Sequence, residues 1–133
     1  MASALGQQTR LFELDEAQRM LPLLRAIVKG MIDDHAERQR LLERLDSLGE
    51  QDPPARSRLA TEIDSLTEKL VEAANELEAL GVEFKGIDLG LVDFPSRRDG
   101  ELVYLCWRFG EERIGYWHPV HAGYAGRRPI EPD

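Results

Sequence analysis

Between Leu23 and Leu48 the apolar residues fall on one helical face. Leu24, Val28, Met31, His35, Arg38, Leu42 and Leu45 recur at alternating spacings of four and three, and Ile27, Leu41 and Leu48 widen the stripe. That is the period of a helix packing along a partner helix. Gly49 and Pro53-Pro54 then form a helix stop. Glycine accepts the left-handed conformation past a helix end, and proline cannot continue a helix. The stripe resumes at Leu59, Ile63, Leu66, Leu70, Ala73, Leu77 and Leu80, in a helix that starts at Pro54 or Ser57 and is ended by Gly81. Two long helices joined by a short turn form an antiparallel hairpin. A turn centred near Asp52 sets Leu45 against Leu59, and Gly30 against Ala74, where small residues would allow close approach. Upstream, Asp15 is the expected N-cap. Pro22 predicts a short helix over 15–21, then a bend or restart.

After Gly81 the period changes to two. Residues 82–87 alternate as a strand does. Residues 89–99, with Gly90, Pro95 and Asp99-Gly100, predict a loop ending in a turn. Residues 101–109 give the strongest strand, Gly110-Glu111-Glu112 a hairpin turn, and residues 113–118 the return strand. A tight turn of two or four residues brings odd positions opposite even ones. Val103, Leu105 and Trp107 then share the helix-packed face with Ile114, Tyr116 and His118, leaving Tyr104, Cys106 and Trp117 on the other. An aromatic cluster on that second face suits contact with the tail, a partner chain or a ligand.

These elements predict one α+β domain over 1–133: a flexible tail at 1–10, a long antiparallel helical hairpin at 11–80, and a small antiparallel β-sheet with an irregular C-terminal tail at 81–133. That length suffices for a real core. The formal net charge is -8, and acids outnumber Lys and Arg in both the helical and the strand-rich parts. Neutralising phosphates needs a basic face, so nucleic acid is disfavoured as a partner. No apolar run approaches the ~20 residues of a membrane helix. Met1–Arg10 lacks a basic segment followed by an apolar one, so no secretory signal is expected. One cysteine makes no internal disulfide, which fits a reducing cytoplasm.

Candidate chemistry is concentrated between Gly90 and Arg127, which holds both Trp, all three Tyr, the single Cys and two of the three His. His118 and His121 form H-x-x-H across a proline, a spacing that matches no zinc signature by itself. His118, His121 and His35 are the candidate metal ligands. Asp93, Cys106 and Glu111 join such a set only if folding brings them together. Cys106 in mid-strand reads as a small apolar residue. The predicted strand parity separates it from His118, which argues against a Cys–His nucleophile pair. Asp93, between Val92 and Phe94, needs a partner if buried, and Arg108, Arg127 and His118 are the options. His35 and Arg38 interrupt the first helical stripe, as a polar layer that fixes register would.

The segments Gly90-Leu-Val-Asp-Phe-Pro95, Val103-Tyr-Leu-Cys-Trp107, Gly110-Glu111, Ile114-Gly-Tyr-Trp-His118 and Gly123-Tyr-Ala-Gly-Arg127 resemble those of Domain of Unknown Function family twenty-two-zero-three. The opening LDEAQRMLPLL over 14–24 is similar to that family's start. The resemblance implies no activity and no cofactor. It implies only that Asp93, Cys106, Trp107, Glu111, Trp117, His118 and Arg127 fall in the signature region, and these become the candidate ligand-binding residues. His121 falls outside the matching segments.

Two functions follow. The first is a non-enzymatic binding or assembly module: the helices form a homodimer, as a four-helix bundle, and the signature region contacts a protein or small ligand. The second is a metal-dependent or small-molecule enzyme centred on Asp93, Glu111 and His118. Catalytic residues and cofactor are not named by any motif.

Overall fold

The computed structural model describes residues 10–130. The expected tail at 1–10 lies outside them except for Arg10, which is anchored rather than frayed. Its guanidinium donates to the Leu80 carbonyl at 3.1 Å, pairs with Glu16 at 2.6 Å and lies 4.2 Å from the Phe12 ring centroid.

Helix α1 runs over Leu14–Leu48 and α2 over Pro53–Leu80. The N-cap of α1 is Glu13, two residues before the expected Asp15, and its N–H is accepted by Glu16 Oε1 at 3.4 Å. Pro22 lies inside α1 without ending it. The lost hydrogen bond costs about 3 kcal/mol. Burial of Ala17, Leu21, Leu24 and Val28 against the sheet, on both sides of the proline, offsets that. Asp52 caps α2 through its side chain, which accepts from Ala55 N at 3.2 Å. Gly49 and Gly81 close the two helices with positive φ.

The hairpin register follows the expected turn. Arg38 Nε donates to Thr67 Oγ1 at 2.6 Å, and Lys69 reaches Asp34 at 3.6 Å. These contacts make the polar layer expected of Arg38. Gly30 and Ala74, however, are exposed, and a Cβ at Gly30 would meet nothing within 4 Å. The small residues therefore face solvent and set no helix separation.

The second half is a five-stranded antiparallel sheet in sequence order: β1 Glu83–Gly86, β2 Leu91–Arg98, β3 Glu101–Arg108, β4 Tyr116–Pro119 and β5 Arg128–Pro129. With the two helices it makes an α+β fold. Strand β2 replaces the expected loop over 89–99. Pairing with β1 ends at Asp93, so Pro95 faces no β1 residue. The neighbour there is Phe12, whose N–H donates to the Pro95 carbonyl at 2.7 Å, while Ser96 Oγ donates to the Phe12 carbonyl at 2.6 Å. A strand residue's N–H and C=O point to the same side in an antiparallel ladder. The N–H that Pro95 lacks therefore belongs to that side, and β3 loses nothing. Asp99 and Gly100 turn the β2–β3 hairpin, both with positive φ, as a two-residue type I′ turn requires.

The return strand begins at Tyr116, later than expected. Gln18 of α1 takes both backbone groups of Ile114: Ile114 N donates to Gln18 Oε1 at 2.9 Å and Gln18 Nε2 donates to the Ile114 carbonyl at 3.1 Å. Ile114 is thereby held by the helix and does not pair with β3. The resulting register sets Tyr104 opposite His118, Leu105 opposite Trp117 and Cys106 opposite Tyr116. Even positions face even positions, so the expected division of faces is corrected. Val92, Phe94, Leu105, Trp107 and Trp117 face the helices, where they pack on Ala17, Leu21, Leu24, Val28 and Leu77. Asp93, Tyr104, Cys106 and His118 share the outer face. A separate core of Leu41, Leu59 and Ile63 lies toward the hairpin tip.

Candidate functional site

The outer face of the sheet is covered by the segment after β4, which contains a short 3-10 helix at Tyr124–Gly126. Between cover and sheet lies a cavity of about 270 Å³, lined by Lys85, Leu91, Asp93, Tyr104, Cys106, His118, Val120, Gly123 and Tyr124. Its floor comes from three adjacent strands. Asp93 on β2 stands opposite Cys106 on β3, and His118 on β4 stands opposite Tyr104, two residues along. Lys85 and Val120 are exposed and form its rim.

Asp93, Cys106 and His118 are all buried, and one ligand atom from each lies within 4.8 Å of the others. His118 Nε2 is 3.1 Å from Asp93 Oδ2, and Nδ1 is 2.8 Å from the Pro119 carbonyl oxygen. A carbonyl only accepts, so Nδ1 carries the hydrogen and donates. The Nε2 of a neutral His118 is then a lone pair facing a carboxylate. Two acceptors at that separation need a proton or a cation between them. Burial raises the Asp93 carboxyl above its ordinary range, opposed by the nearby His118 and Lys85. Burial and then the Asp93 charge push the Cys106 thiol up to about 12. Metal-free, this thiol is a hydrogen-bond donor to Asp93 and no nucleophile.

Lys85 and Tyr104 are supported from β1. Tyr104 O–H donates to Glu83 Oε2 at 2.7 Å, and Lys85 Nζ pairs with Glu83 Oε1 at 2.8 Å. Desolvation works to raise the Glu83 carboxyl, yet these two donors hold it below its ordinary value. The β1 residues gave no motif in the sequence. Glu83 stands opposite Asp93 in the β1–β2 register, and Lys85, at the irregularity that follows, lines the cavity.

The remaining candidates go elsewhere. Glu111 does not line the cavity. Its carboxylate accepts from Arg127 Nη2 at 2.9 Å and from Arg108 N at 2.8 Å. Arg127 also lies 3.9 Å from the Tyr116 ring centroid and 4.8 Å from that of Tyr124, pinning the cover to β4. Trp107 is buried on the helix side, and its Nε1–H donates to the Glu111 carbonyl at 3.0 Å. Trp117 packs on the helix-side core, with Arg98 and Arg128 over its ring at 4.7 and 5.2 Å. His121 is exposed on the cover, and His35 lies half-buried on α1. Neither lines the cavity or joins the Asp93–Cys106–His118 cluster. The expectation that Cys106 and His118 lie on opposite faces is overturned by the β3–β4 register.

The helices of the described residues are not long and apolar enough to cross a membrane. Searches of the curated proteins and of the solved structures returned no match. The cavity-lining strands and their cover fall within the region matched by one family model, which spans residues 10–130 and is described as an uncharacterized conserved protein, and the chain belongs to that family, DUF2203.

Proposed function

We propose that the protein is a binding module in which the helical hairpin carries self-association and the cavity on the outer sheet face takes a small ligand. One observation supports the ligand half. A carboxyl, a thiol and an imidazole are buried together around about 270 Å³ of space, with His118 Nε2 3.1 Å from Asp93 Oδ2. Burying ionisable groups is costly, and apolar side chains would close a sheet face without that cost. Buried ionisable groups gathered in a cleft are a pointer to a binding site.

The assembly half rests on the distal hairpin. There Leu41, Leu59 and Ile63 form a core only two helices thick, and Leu42, Leu45, Leu48 and Leu66 stay half-buried around it. A second copy laid alongside, as a four-helix bundle, would cover them. The free buried thiol suits a reducing compartment, and we place the protein in the cytoplasm on that ground. A small-molecule enzyme using the same cavity is the second reading. It is favoured by the Asp93–His118 contact, whose raised carboxyl suits acid–base work.

Native mass spectrometry of untagged protein tests both halves of the module. The expected spectrum is a dimer carrying a bound mass that is missing from folded His118→Gln. A bare monomer at micromolar concentration would remove the reading, and turnover of a co-purified small molecule would move it to the enzyme.

A further inference from the structure

Resting on the cavity reading above, we infer that its ligand is a divalent transition metal ion of the zinc class, held by Asp93 Oδ2, Cys106 Sγ and His118 Nε2 with a fourth coordination position open to the cavity. The three donor atoms lie within 4.8 Å of one another, a separation that one ion can bridge. They come from three neighbouring strands, so the sheet's own hydrogen bonds fix their spacing. That rigidity is what a site with preset geometry needs.

The histidine carries the most specific mark. Its Nδ1–H donates to the Pro119 carbonyl at 2.8 Å, which sets the tautomer and turns the Nε2 lone pair inward. Metal-bound histidines commonly donate their second ring N–H to a carbonyl or carboxylate in this way. The inward lone pair meets the Asp93 carboxylate at 3.1 Å, and a cation between them converts two opposed acceptors into two ligands. Cys106 completes the set with sulfur. On binding, the thiol proton and the proton held between Asp93 and His118 both pass to solvent and the thiolate bonds to the metal, so two protons leave for each ion taken up.

Donor identity chooses the metal. Thiolate and imidazole favour zinc, cobalt and their neighbours over calcium and magnesium, which prefer all-oxygen shells. Three protein ligands leave a tetrahedral ion one vacant position, as in sites that bind water or a substrate atom. Here that position opens onto a space bordered by Lys85, Tyr104 and Tyr124.

Cobalt(II) is the probe. Untagged protein stripped with chelator is titrated with Co²⁺, then with Zn²⁺ in competition, in unbuffered solution with a pH indicator. The expected result is saturation at one equivalent, with tetrahedral visible bands, a thiolate-to-cobalt charge-transfer band and release of two protons. Zn²⁺ should bleach the spectrum, and excess Ca²⁺ or Mg²⁺ should not. Cys106→Ser should abolish the charge-transfer band. Asp93→Asn and His118→Gln should each weaken binding by at least roughly 100-fold, the upper end of what losing a mere outer-shell partner does. Should a variant fail to fold, the wild type decides alone: its charge-transfer band must level off at one equivalent of Co²⁺ and vanish when Zn²⁺ is added. Absence of the charge-transfer band, or Co²⁺ affinity unchanged in folded His118→Gln, would overturn the metal assignment. If the native mass spectrum still shows an organic ligand, the cavity reading survives that loss. If it shows none, both fall.

Discussion

At the scale of single residues, burial decides what each group can do. Cys106 is 1% exposed and its thiol is pushed up to about 12. In metal-free native protein it should resist alkylation at pH 8 and react readily once unfolded in urea. Equal rates in the two states would contradict the buried placement. The sign of its pH effect follows from the same shift. The folded pKa exceeds the unfolded value of about 8.5, so the thiol's contribution is intact below that pH and is lost as pH rises toward 12. Denaturant midpoints of wild type and Cys106→Ala should therefore converge or cross on going from pH 8 to 11. Trp107 is fully buried and hydrogen-bonded to the Glu111 carbonyl, so Trp107→Ala should lose about 3–5 kcal/mol in urea unfolding. A loss under 1 kcal/mol would show that the indole does not anchor the helix side of the sheet. Leu105 and Trp107 were legible as core residues from their spacing, whereas Trp117 was expected on the other face and Val92 and Phe94 in a loop. The partners of Asp93 were legible only as options, because choosing His118 over Arg108 or Arg127 depends on strand register.

At the scale of elements, the long periodic stretches and the stops at Gly49 and Gly81 read correctly, while Pro22 and the segment over 89–99 did not. Both helices and the strand over 101–108 follow their apolar period. Pro22 suggested a break that α1 does not make, because the apolar residues on both sides of it bury against the same sheet. Pro22→Ala should therefore raise stability, by up to about 3 kcal/mol, and a lowered melting temperature would contradict that account. Gly90 and Pro95 suggested a loop where β2 lies, since nothing local reveals that Phe12 fills the edge beside Pro95. Gly90 itself has φ +63, and an added Cβ would stand 2.7 Å from Phe109 Cβ. Gly90→Ala should cost more than about 1 kcal/mol in denaturant unfolding, and a neutral effect would mean the β2 entry is more adaptable than its geometry implies. The largest change came from a loop length. Gln18, 96 residues away in sequence from Ile114, captures that backbone and delays β4. An odd-length connection in place of an even one moved His118 to the face of Cys106. No local pattern encodes that contact, so the site had to wait for the fold.

At the scale of the whole molecule, two regions are left with work beyond folding. The near half of the hairpin is covered by the sheet, and the far half is covered by itself alone. Light scattering should give a dimer at micromolar concentration, and the paired substitutions Leu45→Glu and Leu66→Glu should give a folded monomer. A monomeric wild type would leave the distal leucines with no partner of their own kind. The other region is the cavity, where Asp93, Cys106 and His118 converge from three strands under a cover pinned by Arg127. The metal ion assigned to this cluster is open to direct test. The most direct measurement is an anomalous difference map from crystals grown with zinc, recorded at the zinc edge. A single strong peak about 2.0–2.3 Å from Asp93 Oδ2, Cys106 Sγ and His118 Nε2 is the predicted result. A map with no peak there, or with zinc only at His121 or His35, would contradict it.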